Sequence, residues 1–164
     1  MDAVLLAIQH SHFADWLSQD IYPYILTLHS IGMALLVGLL TVIDLRVLGI
    51  GTALPIPALR RFMGVVWLGF WVNAFSGTFL FLIAPDKLIH SNLFRVKLSL
   101  IAAGLVLGAV LNSGLLSRGD EYGGGSPTVQ NRVVAALSLA CWIGAIFAGR
   151  WLAYTTFGDI GVEG

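Results

Sequence analysis

Four long apolar stretches stand out along the chain, at about residues 22–45, 62–84, 93–116 and 133–154, separated by short clusters of charge, proline and glycine. Each reaches the roughly 20 mostly apolar residues that cross the hydrocarbon core of a bilayer. A segment surrounded by lipid must satisfy its backbone internally, so all four are expected to be helices. Pro55 and Pro57 interrupt the first connection and Pro85 closes the second stretch, as helix-breaking residues should. The third connection, RGDEYGGGSPTVQNR from Arg118 to Arg132, has the composition of a flexible polar loop. Ahead of the first stretch, DAVLLAIQHSHFADWL gathers Val4, Leu5, Ile8, Phe13 and Trp16 toward one side. That is the pattern of a short amphipathic helix lying in the interface. The expected architecture is all-α: a polytopic four-transmembrane-helix bundle forming one integral membrane domain over residues 1–164, preceded by the N-terminal interfacial helix.

Composition agrees. The 164 residues are 57% hydrophobic and only 11% charged, with a mean hydropathy of +0.86, whereas a soluble domain is about 25% charged. The net charge is zero, so no basic surface invites nucleic acid. Cys141 is the single cysteine. It can form no internal disulfide and reads as a small hydrophobe. Residues 1–19 hold Asp2, His10, His12 and Asp15 but no lysine or arginine, which argues against a cleavable signal peptide. Arg46, Arg60, Arg61, Arg118 and Arg132 fall on one side of the four spans, and Lys87, Arg95, Lys97 and Arg150 on the other. This count slightly favours the first side as cytoplasmic, and the aspartate-bearing N-terminus agrees. The expectation is a bacterial inner (cytoplasmic) membrane protein with both termini periplasmic or extracellular.

The first span, YPYILTLHSIGMALLVG and onward, carries His29 seven residues in, roughly 10 Å deep at 1.5 Å per residue. Because successive helices alternate in direction, Lys97 of span three and Arg150 of span four reach the same level, with Arg95 and His90 at the mouth of span three. Ionisable groups in a bilayer are costly and usually face the protein interior. Taken singly, Lys97 and Arg150 have the alternative of snorkelling to headgroups, and His29 that of bonding a neighbouring helix. Taken together they suit heme b, whose iron takes an imidazole and whose propionates take cations. His29 is then the axial ligand, and Lys97, Arg95 and Arg150 neutralise the propionates. Trp71, Phe75, Phe79, Trp142, Phe147 and Trp151 are candidates to line a flat ligand, or ordinary bundle packing. His90 is the candidate sixth ligand and second metal residue, with His10 and His12 more remote and a five-coordinate iron the alternative. There is no CxxCH, so the heme would be held non-covalently.

Span three sets Lys97, Ile101, Gly104, Gly108 and Asn112 on one face, span four repeats Ala136, Ala140, Gly144 and Ala148, and span two Gly69, Asn73 and Gly77. Such small-residue faces let helices approach closely in lipid; a further exposed seam would permit a homo-oligomer. At the opposite membrane face, Asp44 and Arg46 end span one, with Asn112 in plausible reach of Asp44. That group reads as a structural clamp, with a proton or quinone site as the alternative.

The motifs YPYILTLHSIGMALLVG, DLRVLG and FRVKLSLIAAGLVLGAVLN together resemble a large group of bacterial four-helix membrane proteins of DLRxLG type. That group is itself similar to the membrane domain of copper-resistance protein D and, more distantly, to the heme-b-containing bacterial protoporphyrinogen oxidase. The resemblance covers roughly residues 20–155. It implies His29 as a heme ligand and Lys97 as a propionate or substrate contact. The function expected is a b-type cytochrome mediating electron transfer near the outer face, with a quinone or a redox protein as partner. Three alternatives stay open: a heme-dependent oxidoreductase on a porphyrinogen-like or other hydrophobic substrate, a copper-handling permease, and a structural or assembly subunit. Soft-ligand copper sites need methionine or cysteine clusters, and here Met1, Met33 and Met63 are scattered.

Overall fold

The computed structural model of the protein describes residues 6, 7, 10–113 and 127–157. Its helices are α1 (His12–Trp16), α2 (Tyr22–Leu48), α3 (Ile56–Arg60), α4 (Met63–Ile83), α5 (Pro85–Ile89), α6 (Asn92–Leu111) and α7 (Val129–Phe157), with no strand among the described residues. Four helical stretches are long and apolar enough to cross a membrane: His12–Leu48, Ala58–Ile83, Asn92–Leu111 and Val129–Thr156. The all-α, four-span bundle is therefore the fold.

The N-terminal helix is not set apart from the first span. A π-helical turn, Leu17–Ile21, joins α1 to α2 without a break. Nothing in HFADWLSQDI stops a helix, and the π-helical turn immediately ahead of Pro23 is the local irregularity that accommodates the missing N–H of a proline inside a continuous helix. Ser11 starts α1 by accepting from the Ala14 N–H at 3.2 Å. Leu17 then packs with Ile25 and Ile83, tying the extension to the end of α4. Val4, Leu5 and Ile8, three of the five residues of the expected apolar stripe, lie outside the described residues, as do residues 114–126 after α6. At its other end α2 closes on Gly49, whose φ of 102° only glycine adopts cheaply. The Gly49 and Ile50 N–H groups there bond the Arg46 and Leu45 carbonyls at 3.2 and 2.9 Å, the glycine-terminated cap that satisfies a helix's last carbonyls.

The bundle is two tight pairs joined along one seam. In the α2–α4 pair the backbones nearly touch: a Cβ on Gly32 would lie 2.7 Å from the Asn73 nitrogen, and one on Gly69 2.7 Å from the Leu36 nitrogen. In the α6–α7 pair the Trp142 ring lies over Gly104, where a Cβ would approach it to 2.8 Å, and Leu100 fits against Gly144. The pairs meet where α2 packs on α7, around Leu36, Val37, Leu40, Leu111, Ala135 and Trp142. By contrast, α4 and α6 scarcely touch, and only 6% of the most apolar window of α6 is buried.

Two expectations about helix faces need correcting. In α7 Ala136 and Ala140 face outward, and the buried line is Ala135, Ser138, Trp142 and Ala145. The helix is turned so that Trp142, rather than an alanine stripe, fills the space over Gly104. Among the aromatic candidates, Trp71, Phe75, Phe147 and Trp151 are all more than 60% exposed and project toward lipid, Phe79 packs edge-on against Phe75, and Trp142 is core.

Candidate functional site

The gap between α4 and α6 makes a crevice, and His29 lies at its back. The ring is 8% exposed, and both of its hydrogen-bond contacts run through Nδ1: 3.1 Å to the Asn73 carbonyl and 3.1 Å to the Ser76 hydroxyl, both on α4. A carbonyl can only accept, so Nδ1 carries the hydrogen and donates. Ser76 gives its own proton to the Val72 carbonyl at 2.6 Å, so its oxygen too is an acceptor for the ring. The neutral imidazole therefore keeps its lone pair on Nε2. Asn73 returns the contact, its Nδ2 donating to the His29 carbonyl at 2.9 Å. This clasp locks the ring's tautomer and its height on α2. Gly77 completes the setting, since a Cβ there would come within 3.2 Å of the imidazole Cε1.

Two adjoining cavities, of about 240 and 490 Å³, share His29, Gly77, Phe81, Phe94 and Lys97 as walls. The smaller reaches α7 at Gly149 and Arg150, and the larger opens between α4 and α6 beside Asn73, Thr78 and Ile101. Phe81 and Phe94 stack across the gap with centroids 5.8 Å apart and planes at 22°. Lys97 crosses from α6 to α7: its stem lies over Gly149, where a Cβ would be 3.2 Å from Cε and 3.3 Å from Nζ. Among the described residues its ammonium has no hydrogen-bond or ion-pair partner. The crevice thus offers one imidazole lone pair and one or two cations on an otherwise apolar lining. It suits a large ligand with a Lewis-acidic centre and an anionic edge.

His29, Lys97 and Arg150 therefore come together. Arg95 and His90 do not line either cavity. Arg95 donates to the Ile89 carbonyl at 3.3 Å, and His90 turns back onto Asp86, 2.9 Å from its carbonyl and 3.6 Å from its carboxylate, with the imidazole 59% exposed. The short helix α5 ends at His90 and sets this turn, so both side chains close a local loop. His12 lines a separate open hollow with Asp15, Trp16 and Asp20. The polarity pattern did not single out Ser76, nor Phe81 and Phe94. The one signal was the polar pair Asn73 and Ser76 within an otherwise apolar span.

At the other end of the bundle, Asp44 and Ser138 are 1% and 0% exposed. Among the described residues Asp44 Oδ2 and Ser138 Oγ each lack a hydrogen-bond partner, as does Trp142 Nε1 over Gly104. Comparison with known proteins gives no match to a family model, to a curated protein or to a solved structure.

Proposed function

We propose that this protein is a heme-b-binding membrane protein, a b-type cytochrome that carries electrons near the face where its N-terminus emerges. The observation behind the proposal is the His29 clasp. Metal-ligating histidines characteristically give their other ring N–H to a carbonyl or carboxylate, which fixes the tautomer and raises the basicity of the ligating nitrogen. The Asn73 carbonyl does this for His29, leaving Nε2 for iron. A bare metal ion needs three or four protein ligands, and among the described residues no three His, Cys, Asp or Glu side chains are grouped to hold one. A porphyrin brings four nitrogens of its own, so one imidazole suffices.

In this reading Lys97 and Arg150 hold the propionates, and Phe81 and Phe94 contact the macrocycle. Their apolar setting keeps water from the iron. The bound group supplies a reversible one-electron couple. The chain's own part is to fix the imidazole, neutralise the carboxylates and set the dielectric, each of which tunes the potential. The opening between α4 and α6 faces lipid, which favours a lipid-soluble donor such as a quinol. The four-helix DLRxLG-type resemblance, a bacterial inner membrane and external termini belong to the same proposal.

The test is a reduced-minus-oxidised absorption spectrum of protein purified in mild detergent after expression with heme supplied. The wild type should show Soret and α bands, and His29→Ala should lose them or shift to a weakly bound spectrum. A wild type without either band refutes the assignment.

A further inference from the structure

We infer that the heme iron is five-coordinate and that its open position, walled by Phe94, Leu98 and Ile101 of α6, binds a small neutral diatomic ligand, the class of carbon monoxide, nitric oxide and dioxygen. The inference rests on the heme reading above and adds ligand binding to electron transfer. Heme iron takes axial groups from histidine, cysteine, methionine or tyrosine. All four histidines lie among the described residues. His12 lines a separate hollow, His90 turns onto the Asp86 carbonyl, and neither they nor His10 line the crevice. Cys141 lines neither cavity. Tyr22 and Met33 do line the smaller one, but they flank His29 on its own helix, α2. Axial ligands approach a porphyrin from opposite faces, and a flat macrocycle cannot pass through the helix that bears both. The other methionines and tyrosines line neither cavity or lie outside the described residues.

Away from α2, the larger cavity of about 490 Å³ is bounded by α4 and α6, and the polar groups there are committed elsewhere. Asn73 Nδ2 donates to the His29 carbonyl and Thr78 Oγ1 to the Ala74 carbonyl, each at 2.9 Å. Lys97 runs its stem over Gly149 of α7, and an ammonium has no lone pair to give a metal. What remains on α6 is the apolar wall of Phe94, Leu98 and Ile101. Such a wall supplies no ligand atom, and it leaves a bound anion or water without the hydrogen bonds that burial demands. A neutral diatomic molecule needs none, and it takes up about as much room as a water, roughly 30 Å³. Polarity and access of the pocket beside the iron decide what a heme binds, and both select this class. Because the cavity opens between α4 and α6 toward lipid, solutes that dissolve in hydrocarbon reach it directly.

The experiment uses the full chain, loaded with heme during expression and purified in mild detergent. Carbon monoxide is the probe. Absorption and resonance Raman spectra of the reduced protein are recorded before and after its addition. The expected result is an iron–histidine stretch before, the mark of a five-coordinate ferrous heme, and a Soret band moved to shorter wavelength after. His90→Ala and His12→Ala leave both spectra unchanged. Ile101→Phe, which thickens the α6 wall, keeps the Soret band but weakens carbon monoxide affinity roughly tenfold, as a misfitted group in an apolar pocket does. If Ile101→Phe does not retain heme, Leu98→Phe, half-exposed on the same wall, takes its place. A six-coordinate reduced spectrum that ignores carbon monoxide overturns the inference while heme binding stands, and so does unchanged affinity in the variant that holds heme. No Soret band in the wild type overturns the heme reading and the inference with it.

Discussion

Replacing Gly32 by alanine should separate α2 from α4 and undo the His29 clasp, although the substitution is one turn away from the imidazole and touches no atom of it. The added Cβ would stand 2.7 Å from the Asn73 nitrogen, 3.0 Å from its Cα and 3.0 Å from Val72 Cγ1. Two of these are backbone atoms of a helix, which cannot step aside as a side chain would. Ordinary contact begins at 3.4 Å, so the helices must part by roughly 0.7 Å at this point. The bonds joining His29 to Asn73, now 3.1 and 2.9 Å, then stretch out of hydrogen-bond range. Overpacking of this kind costs about 1–3 kcal/mol, and interhelical hydrogen bonds in a membrane average about 0.6 kcal/mol each. The expected loss is therefore roughly 2–4 kcal/mol. Gly38 is the control: it lies on the same helix, but a Cβ there meets nothing within 4 Å, and alanine should be neutral or slightly favourable through helix propensity. Reversible unfolding in mixed micelles measures both. If Gly32→Ala proves as stable as Gly38→Ala, the close α2–α4 contact is wrong, and the fixed tautomer of His29 goes with it.

Gly104 and Gly108 occupy equivalent places in the small-residue motif of α6, but only the first should resist change. Alanine at 104 meets the Trp142 ring at 2.8 Å, and that ring is 1% exposed with nowhere to move, whereas alanine at 108 meets only Leu40 Cδ2 at 3.5 Å. Unfolding of the two variants should differ by about 1–3 kcal/mol; equal stability would remove Trp142 from its assigned place. Gly149→Ala should leave stability within about 0.5 kcal/mol, because its Cβ meets the flexible end of Lys97. It should nevertheless displace the ammonium and weaken heme retention about tenfold, or about 1.4 kcal/mol. A heme titration identical to wild type would mean that Lys97 does not hold the ligand's anionic edge.

The span count and the meeting of His29, Lys97 and Arg150 were legible from sequence, for a simple reason. A run of twenty apolar residues fixes a helix's length, and alternating helix direction then fixes which ends share a level. Rotation about each helix axis was not legible. In water, polarity marks the outer face; in lipid, Phe75 and Phe147 face out while Phe81 and Phe94 line the crevice, and hydropathy scores all four the same. The partners of His29 were hidden for a related reason, since the decisive acceptor is the main-chain carbonyl of Asn73, which no side-chain pattern encodes. Arg95 and His90 were grouped with the crevice by depth, but a short turn through α5 takes both back to the local backbone. The burial of Ser138 likewise depended on how α7 is turned.

The sparse contact between α4 and α6, bridged by the Phe81–Phe94 stack, has a mechanical consequence. Two hairpins fastened mainly along one line behave like the covers of a book, with the α2–α7 seam as the spine. Any molecule lodged between the covers and gripped by both, through His29 on one and Lys97 on the other, ties them together. Occupancy and rigidity should therefore rise together, and a binder selective for the closed form adds RT ln(1 + [L]/Kd) to folding stability.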